Sequence, residues 1–145
     1  VSYDHYSRVW AAIWLEPWTE DMRTVAFYLL TGPHRRSEGI YRLPLGYAVE
    51  DLKWTTRRFR SAFDGLVDMG FVEYDEDAKL VLIVNALKRE GFNGKQIEGI
   101  VKALAELPPS PLVDRFTALA RSLNESLAKA LADANGSLAH ATTNN

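Results

Sequence analysis

The chain has no cysteine in 145 residues, which excludes disulfides and thiolate metal sites and points to a reducing, cytoplasmic setting. Histidine is scarce too. His5, His34 and His140 are too scattered for a metal-ligand spacing, so neither metal nor cofactor is expected. The longest apolar stretches, residues 26–30 and 80–84, are far too short to span a bilayer, and the N-terminus lacks the pattern of a signal peptide. No membrane role is expected. The glycosylation-like triplets at Asn124 and Asn135 therefore read as chance matches. Catalytic motifs are also missing: Gly94-Lys95 lacks the upstream Gly and following Ser or Thr of a phosphate-binding loop, and there is no nucleophile motif. The chain reads as non-enzymatic. It opens on Val rather than Met, as a processed product or a fragment of something longer would.

What is present is globular: 47% hydrophobic and 25% charged residues leave room for one core of ordinary size with an appended helix. A net charge of −2 argues against a generic polyanion binder. The charge is polarised, however. Residues 31–60 carry Arg35, Arg36, Arg42, Lys53, Arg57, Arg58 and Arg60 against Glu38, Glu50 and Asp51, whereas residues 61–78 carry only acids.

Residues 1–18 form an aromatic segment in which Tyr6, Trp10, Trp14 and Trp18 recur at helical spacing, although Val9–Ile13 also suits a short strand. The series reads as packing, or as a self-association surface. Thr19 followed by Glu20 and Asp21 is a helix start, and Met22, Val25, Ala26, Leu29 and Leu30 form one apolar stripe before Gly32-Pro33 ends it. A short strand is predicted over 39–43 and a two-turn helix over 47–53, with Val49 and Leu52 inward. A further helix, capped by Thr55 or Thr56, buries Phe59, Ala62, Phe63, Leu66 and Met69 and closes at Gly70. Residues 71–74 and 80–84 then read as a hairpin. Downstream, helices are predicted over 95–107 and, beyond Pro108-Pro109-Ser110-Pro111, as one long helix from Leu112 to about Ala134. Disorder is expected from Gly136 onward.

This order predicts an α+β, mostly helical chain: a winged helix-turn-helix over 19–87, a C-terminal helical extension over 94–134 and a disordered tail over 135–145. With Phe59 inward and about 100° of rotation per residue, Arg57 and Ser61 point away from the core, with Arg58 and Arg60 to either side. Such a helix start meets base edges in helix-turn-helix proteins. Lys53, Thr55 and Thr56 at the turn, and Arg36 on the preceding loop, are placed to hold phosphates. Two features weigh the other way. Asp64 and Asp68 offer the arginines intrahelical partners, and the hairpin tip carries Asp75, Glu76 and Asp77, which repel phosphate. Trp54 and Tyr41 read as packing rather than as base-stacking residues.

The runs Tyr28-Leu29-Leu30-Thr31-Gly32-Pro33-His34, Gly39-Ile40-Tyr41-Arg42-Leu43-Pro44, Gly46-Tyr47, Asp51-Leu52 and Trp54 carry a resemblance, joined by Gly70-Phe71, Tyr74-Asp75, Asn85-Ala86-Leu87, Leu107-Pro108 and Ser110-Pro111-Leu112. Over roughly residues 8–116 the chain resembles the N-terminal winged-helix domain of phage and prophage replication-initiation proteins, the DnaD-like replisome organisers. The resemblance implies binding to double-stranded origin DNA, self-association as a homo-oligomer and recruitment of helicase-loading proteins. Members of that group usually continue into a second domain, whereas this chain ends in a helix and a polar tail. The alternative is a winged-helix interaction module or regulator that does not contact nucleic acid, docking a partner through its C-terminal helix or aromatic N-terminal segment.

Overall fold

The computed structural model describes residues 10–36, 39–90 and 94–143, so Tyr6 and Val9 of the aromatic segment, with His5, lie outside the described residues. Among those described, the chain is mostly helical α+β, with eight helices and one three-stranded antiparallel sheet. The open choice near the N-terminus resolves as a short helix, α1 (Ala12–Leu15). Trp10, Ile13 and Trp18 around it are buried, and both indoles meet the Phe71 ring edge-on, at centroid distances of 5.6 and 5.2 Å. Edge-on contact sets the positive rim of one ring against the negative face of another.

Helix α2 (Glu20–Thr31) starts where Thr19 Oγ1 accepts the Met22 amide at 3.1 Å, and Val25, Ala26, Leu29 and Leu30 are its buried stripe. Strand β1 (Ile40–Arg42) follows, entered through Gly39 at φ +88°, where a Cβ would overlap that of Ala86. Helix α3 (Leu45–Leu52) begins two residues before the predicted start, directly after Pro44. Helix α4 (Thr56–Asp68) is capped by Thr55, whose hydroxyl accepts the Arg58 amide at 3.2 Å, which resolves the choice between the two threonines. Phe59, Ala62, Phe63 and Leu66 are buried, but Met69 is 54% exposed, against expectation. It is the C-cap residue, just past the last residue of α4, where the chain turns away at Gly70. Gly70, at φ +77°, then turns the chain into the hairpin of β2 (Val72–Asp75) and β3 (Leu80–Ile83).

The strand order is β1-β3-β2, and the register sets Tyr41 and Tyr74 opposite Val81, with Ile40 and Glu73 opposite Leu82. Because side chains alternate across a strand, these pairs lie on opposite faces. Tyr41, Val81, Ile83 and Val72 join the core made by α2 and α4, while Ile40, Leu80 and Leu82 join a second core. The second core is closed by α5 (Ala86–Glu90), α6 (Gly94–Ala105), α7 (Pro111–Leu123) and α8 (Glu125–Thr143) through Leu87, Ile100, Leu112, Phe116, Leu127 and Leu131.

The single long helix expected from Leu112 to about Ala134 is therefore two. Asn124 breaks it: its backbone is extended (φ −154°, ψ 117°), its amide donates to Ala120 O at 3.0 Å, and its Oδ1 accepts the Leu127 amide at 2.9 Å. One asparagine thus ends α7 and caps α8, a competition of side chain with backbone that Asn favours. Helical backbone continues to Thr143, across the stretch where a disordered tail was expected. Two polar ties hold this layer to the hairpin. Ser110 Oγ donates to Asp75 Oδ2 at 2.5 Å, and Arg115 Nε donates to Glu73 Oε2 at 3.2 Å.

Leu82→Ala tests the two-sided sheet. Leu82 is 1% exposed, so the substitution is expected to cost about 2–5 kcal/mol in a urea titration. A loss under about 0.5 kcal/mol would contradict the second core.

Candidate functional site

The turn between α3 and α4 is built locally. Lys53 adopts the left-handed conformation at φ 57°, and the Trp54 amide donates back to Val49 O at 3.2 Å, closing α3. The Trp54 ring packs half-buried against the first core, as read from sequence. Thr55 then starts α4, whose first turns face Thr56, Arg57 and Ser61 to solvent. Lys53 and Thr55 are exposed beside them.

The three arginines of this helix have different fates. Arg57 is exposed and its side chain makes no hydrogen bond or ion pair among the described residues. Arg58 turns toward α2, where Nε and Nη2 donate to the two carboxylate oxygens of Asp21 at 3.0 and 2.9 Å, and its guanidinium lies 4.0 Å over the Trp54 ring. Arg60 Nε donates to Asp64 Oδ1 at 3.0 Å, and its Nη2 donates to Glu76 Oε1 on the hairpin turn. The intrahelical partner anticipated for these arginines is thus Asp64 alone. Asp21 and Glu76 come from distant parts of the chain.

Thr55, Arg57, Arg58 and Ser61 line an open concavity of about 710 Å³ together with Thr19, Glu20 and Asp21. Two helix starts therefore converge there, each with amide hydrogens facing outward, and the acids of α2 answer the bases of α4. Arg36 is not part of this surface. It is exposed on the loop after α2 and lines a separate concavity with Arg35 and Arg42. Sequence reasoning grouped Arg36 with the α4 residues, and it missed Asp21 and Glu76 as partners. Asp21 carried a signal only as a helix-start acid, since an ion pair across 37 residues leaves no trace in local spacing.

The charges respond to this geometry. The Arg58 guanidinium bonded to Asp21 holds that carboxyl below its ordinary value, and Arg60 does the same to Glu76. Asp75 is lowered by the Ser110 hydroxyl first and by the Ala78 and Asp77 amides after it. Burial pushes the Tyr74 phenol up to about 12. It donates to Leu43 O at 2.8 Å, fixing β2 to the entrance of α3. Among the described residues no group of three or more His, Asp or Glu side chains is placed to hold a metal ion, and no helix is long and apolar enough to cross a membrane. No protein-family model, no curated protein and no solved structure matches the chain.

The Asp21–Arg58 pair yields a pH prediction. Asp21 titrates in the folded state below its ordinary 3.8, so whatever the pair adds to stability is present above that value and is lost as pH falls through the depressed folded value. Carboxyl carbon NMR of the wild type is expected to show the lowered titration, and Arg58→Ala to restore an ordinary one. An unchanged Asp21 titration in Arg58→Ala would refute the pairing.

Proposed function

We propose that the chain is a non-enzymatic, cytoplasmic winged-helix protein that binds double-stranded DNA in phage or mobile-element replication initiation, with α4 as its recognition helix. The element order α2, β1, α3, α4, β2, β3 and the sheet order β1-β3-β2 support the winged-helix reading. One observation carries the DNA reading: Arg57 stands on the outer face of the first turn of α4 with no partner among the described residues, flanked by exposed Thr56 and Ser61 and by the Lys53–Thr55 turn. A guanidinium in that position can donate two hydrogen bonds to guanine O6 and N7, while the turn holds phosphates. The replication context, the origin as target and helicase-loading proteins as partners rest on the resemblance to DnaD-like organisers. Self-association, part of the same reading, draws support from Trp14 and Leu15, which are 63% and 86% exposed. On α7, Leu112 and Phe116 are covered within the chain, and of its large apolar residues only Leu123, at the helix end, is exposed, at 42%.

Fluorescence anisotropy with labelled duplexes across a salt series tests the reading. Arg57→Ala is expected to relax base preference by about 1–3 kcal/mol, and Lys53→Ala to weaken all sequences alike with a salt slope shallower by about one. Duplex binding that neither substitution alters would defeat the proposal.

The second reading, a protein-docking module, is favoured by the neutralised state of Arg58 and Arg60 and by the acidic hairpin turn. Glu76→Gln separates the two. It removes one acid from the hairpin and weakens the hold on Arg60, so duplex affinity is expected to rise several-fold if α4 faces DNA. A docking module shows no such gain.

A further inference from the structure

Helix α3, helix α4 and the hairpin turn enclose a groove of about 260 Å³. Its walls are apolar: Leu45 and Val49 of α3, Phe59 of α4 and the ring of Tyr74, whose hydroxyl is already given to Leu43 O at 2.8 Å. Four polar side chains line it as well, Thr56, Arg60, Glu76 and Lys79. Arg60 reaches from α4 to Glu76 on the turn and keeps Asp64 besides, so its charge is answered twice. Lys79 differs. It is exposed, its charge reaches Glu76, and its side chain makes no hydrogen bond or ion pair among the described residues. The Thr56 hydroxyl makes no hydrogen bond there either.

Two residues of the lining are unusual for their positions. Gly46 lies in the first turn of α3, yet its φ is not positive and a Cβ there would meet nothing within 4 Å. Glycine is among the poorest helix formers, and neither backbone nor neighbour requires it here. Gly65 on α4 is the contrast, because a Cβ there would lie 3.2 Å from Met22 Sδ. What the missing side chain of Gly46 keeps clear is the groove. Lys79 is the reverse case. At φ 59° its backbone occupies the left-handed region that glycine fills at least cost, and the Leu43 amide holds it there by donating to Lys79 O at 2.7 Å. Residues kept in such sparsely populated conformations cluster at ligand clamps.

We propose that this groove binds a small carboxylic acid with an apolar or aromatic body. The walls take the body, while Lys79 and the Thr56 hydroxyl take the carboxylate, as a few placed polar groups orient a ligand in an apolar site. The volume falls just under the roughly 300–1,000 Å³ of drug-sized sites, which limits the body to one ring or a short branched chain. The site stands whether or not α4 meets DNA. Because Thr56 and Arg60 share a helix start with Arg57, a ligand held there acts as an effector on whatever that start contacts.

The test is an amide NMR titration of the full chain with phenylacetate, and with phenylacetamide as its uncharged counterpart, on the wild type, Lys79→Gly and Gly46→Leu. Both variants suit the backbone: glycine fits φ 59° better than lysine does, and leucine is a better helix former than glycine with open space for its Cβ. Saturable shifts at Gly46, Thr56 and Lys79 are expected in the wild type, with a Kd of about 1 mM or below for phenylacetate and at least tenfold weaker binding of the amide. Lys79→Gly is expected to bind the two compounds alike, and Gly46→Leu to bind neither. The proposal is overturned by a wild type that shows no saturable shifts in the groove up to about 10 mM, by equal affinity of the wild type for acid and amide, or by an undiminished preference for the acid in Lys79→Gly. Loss of duplex binding in Arg57→Ala bears only on the α4 reading, because none of these measurements uses a duplex.

Discussion

Strand β3 is the element on which both halves of the chain depend. Its four residues, Leu80, Val81, Leu82 and Ile83, are buried on both faces, a demand normally met by continuous apolar strands enclosed in layers. Val81 and Ile83 complete the core under α2 and α4, and Leu80 and Leu82 complete the core under α6, α7 and α8. With about 25 cal/mol for each Å² of apolar area removed from water, neither face could be left open without a large loss. The C-terminal helices are therefore a covering layer for the sheet, and the ties from Ser110 to Asp75 and from Arg115 to Glu73 fix that layer to the hairpin. The hairpin in turn meets α4 through Phe63 and Tyr74, whose rings stand edge to face at 5.4 Å. The orientation of α4 is set by both cores.

The surface of α4 is less cationic than its residue count indicates. Exposed ion pairs contribute roughly 0–1 kcal/mol each, because water screens the charges and the side chains lose freedom in holding one geometry. Pairs of this kind stabilise little, and they also exchange readily. Arg58 and Arg60, each half-exposed or nearly so in its pair, can trade a carboxylate for a phosphate at small cost, whereas Arg57 has no pair to trade among the described residues. The acids of α2 and the hairpin thus moderate the field of this helix and favour a partner that offers more than bulk negative charge.

The parts legible in the sequence are those governed by neighbours along the chain. Thr19 and Thr55 cap helices by reaching three residues ahead, Gly70 turns at positive φ, and the stripe of Phe59, Ala62, Phe63 and Leu66 obeys helical periodicity. The two β-rich runs paired as a hairpin for the same reason. What was illegible depended on distant partners or on a local contest. Nothing adjacent to Asp21 or Glu76 marks either as an arginine's partner, and nothing near Arg35 marks it as buried. Asn124 sits in an otherwise helix-forming stretch, so periodicity carried straight through it, although its amide side chain settles the contest against continuity. Met69 continues the spacing of the stripe but falls at the C-cap, where α4 has ended and the spacing no longer sets which way a side chain faces.

The break at Asn124 also determines which chain covers the second core. A continuous helix over residues 111–143 would be a rod of roughly 50 Å, at 1.5 Å per residue. Such a rod would carry Leu127 and Leu131 beyond the reach of Ile100 on α6, the neighbour they share a core with here. Their cover would then have to come from a second molecule, by exchange of the last helix between two copies. By bending the chain back at one residue, Asn124 makes the closure of that core an intramolecular event, independent of protein concentration.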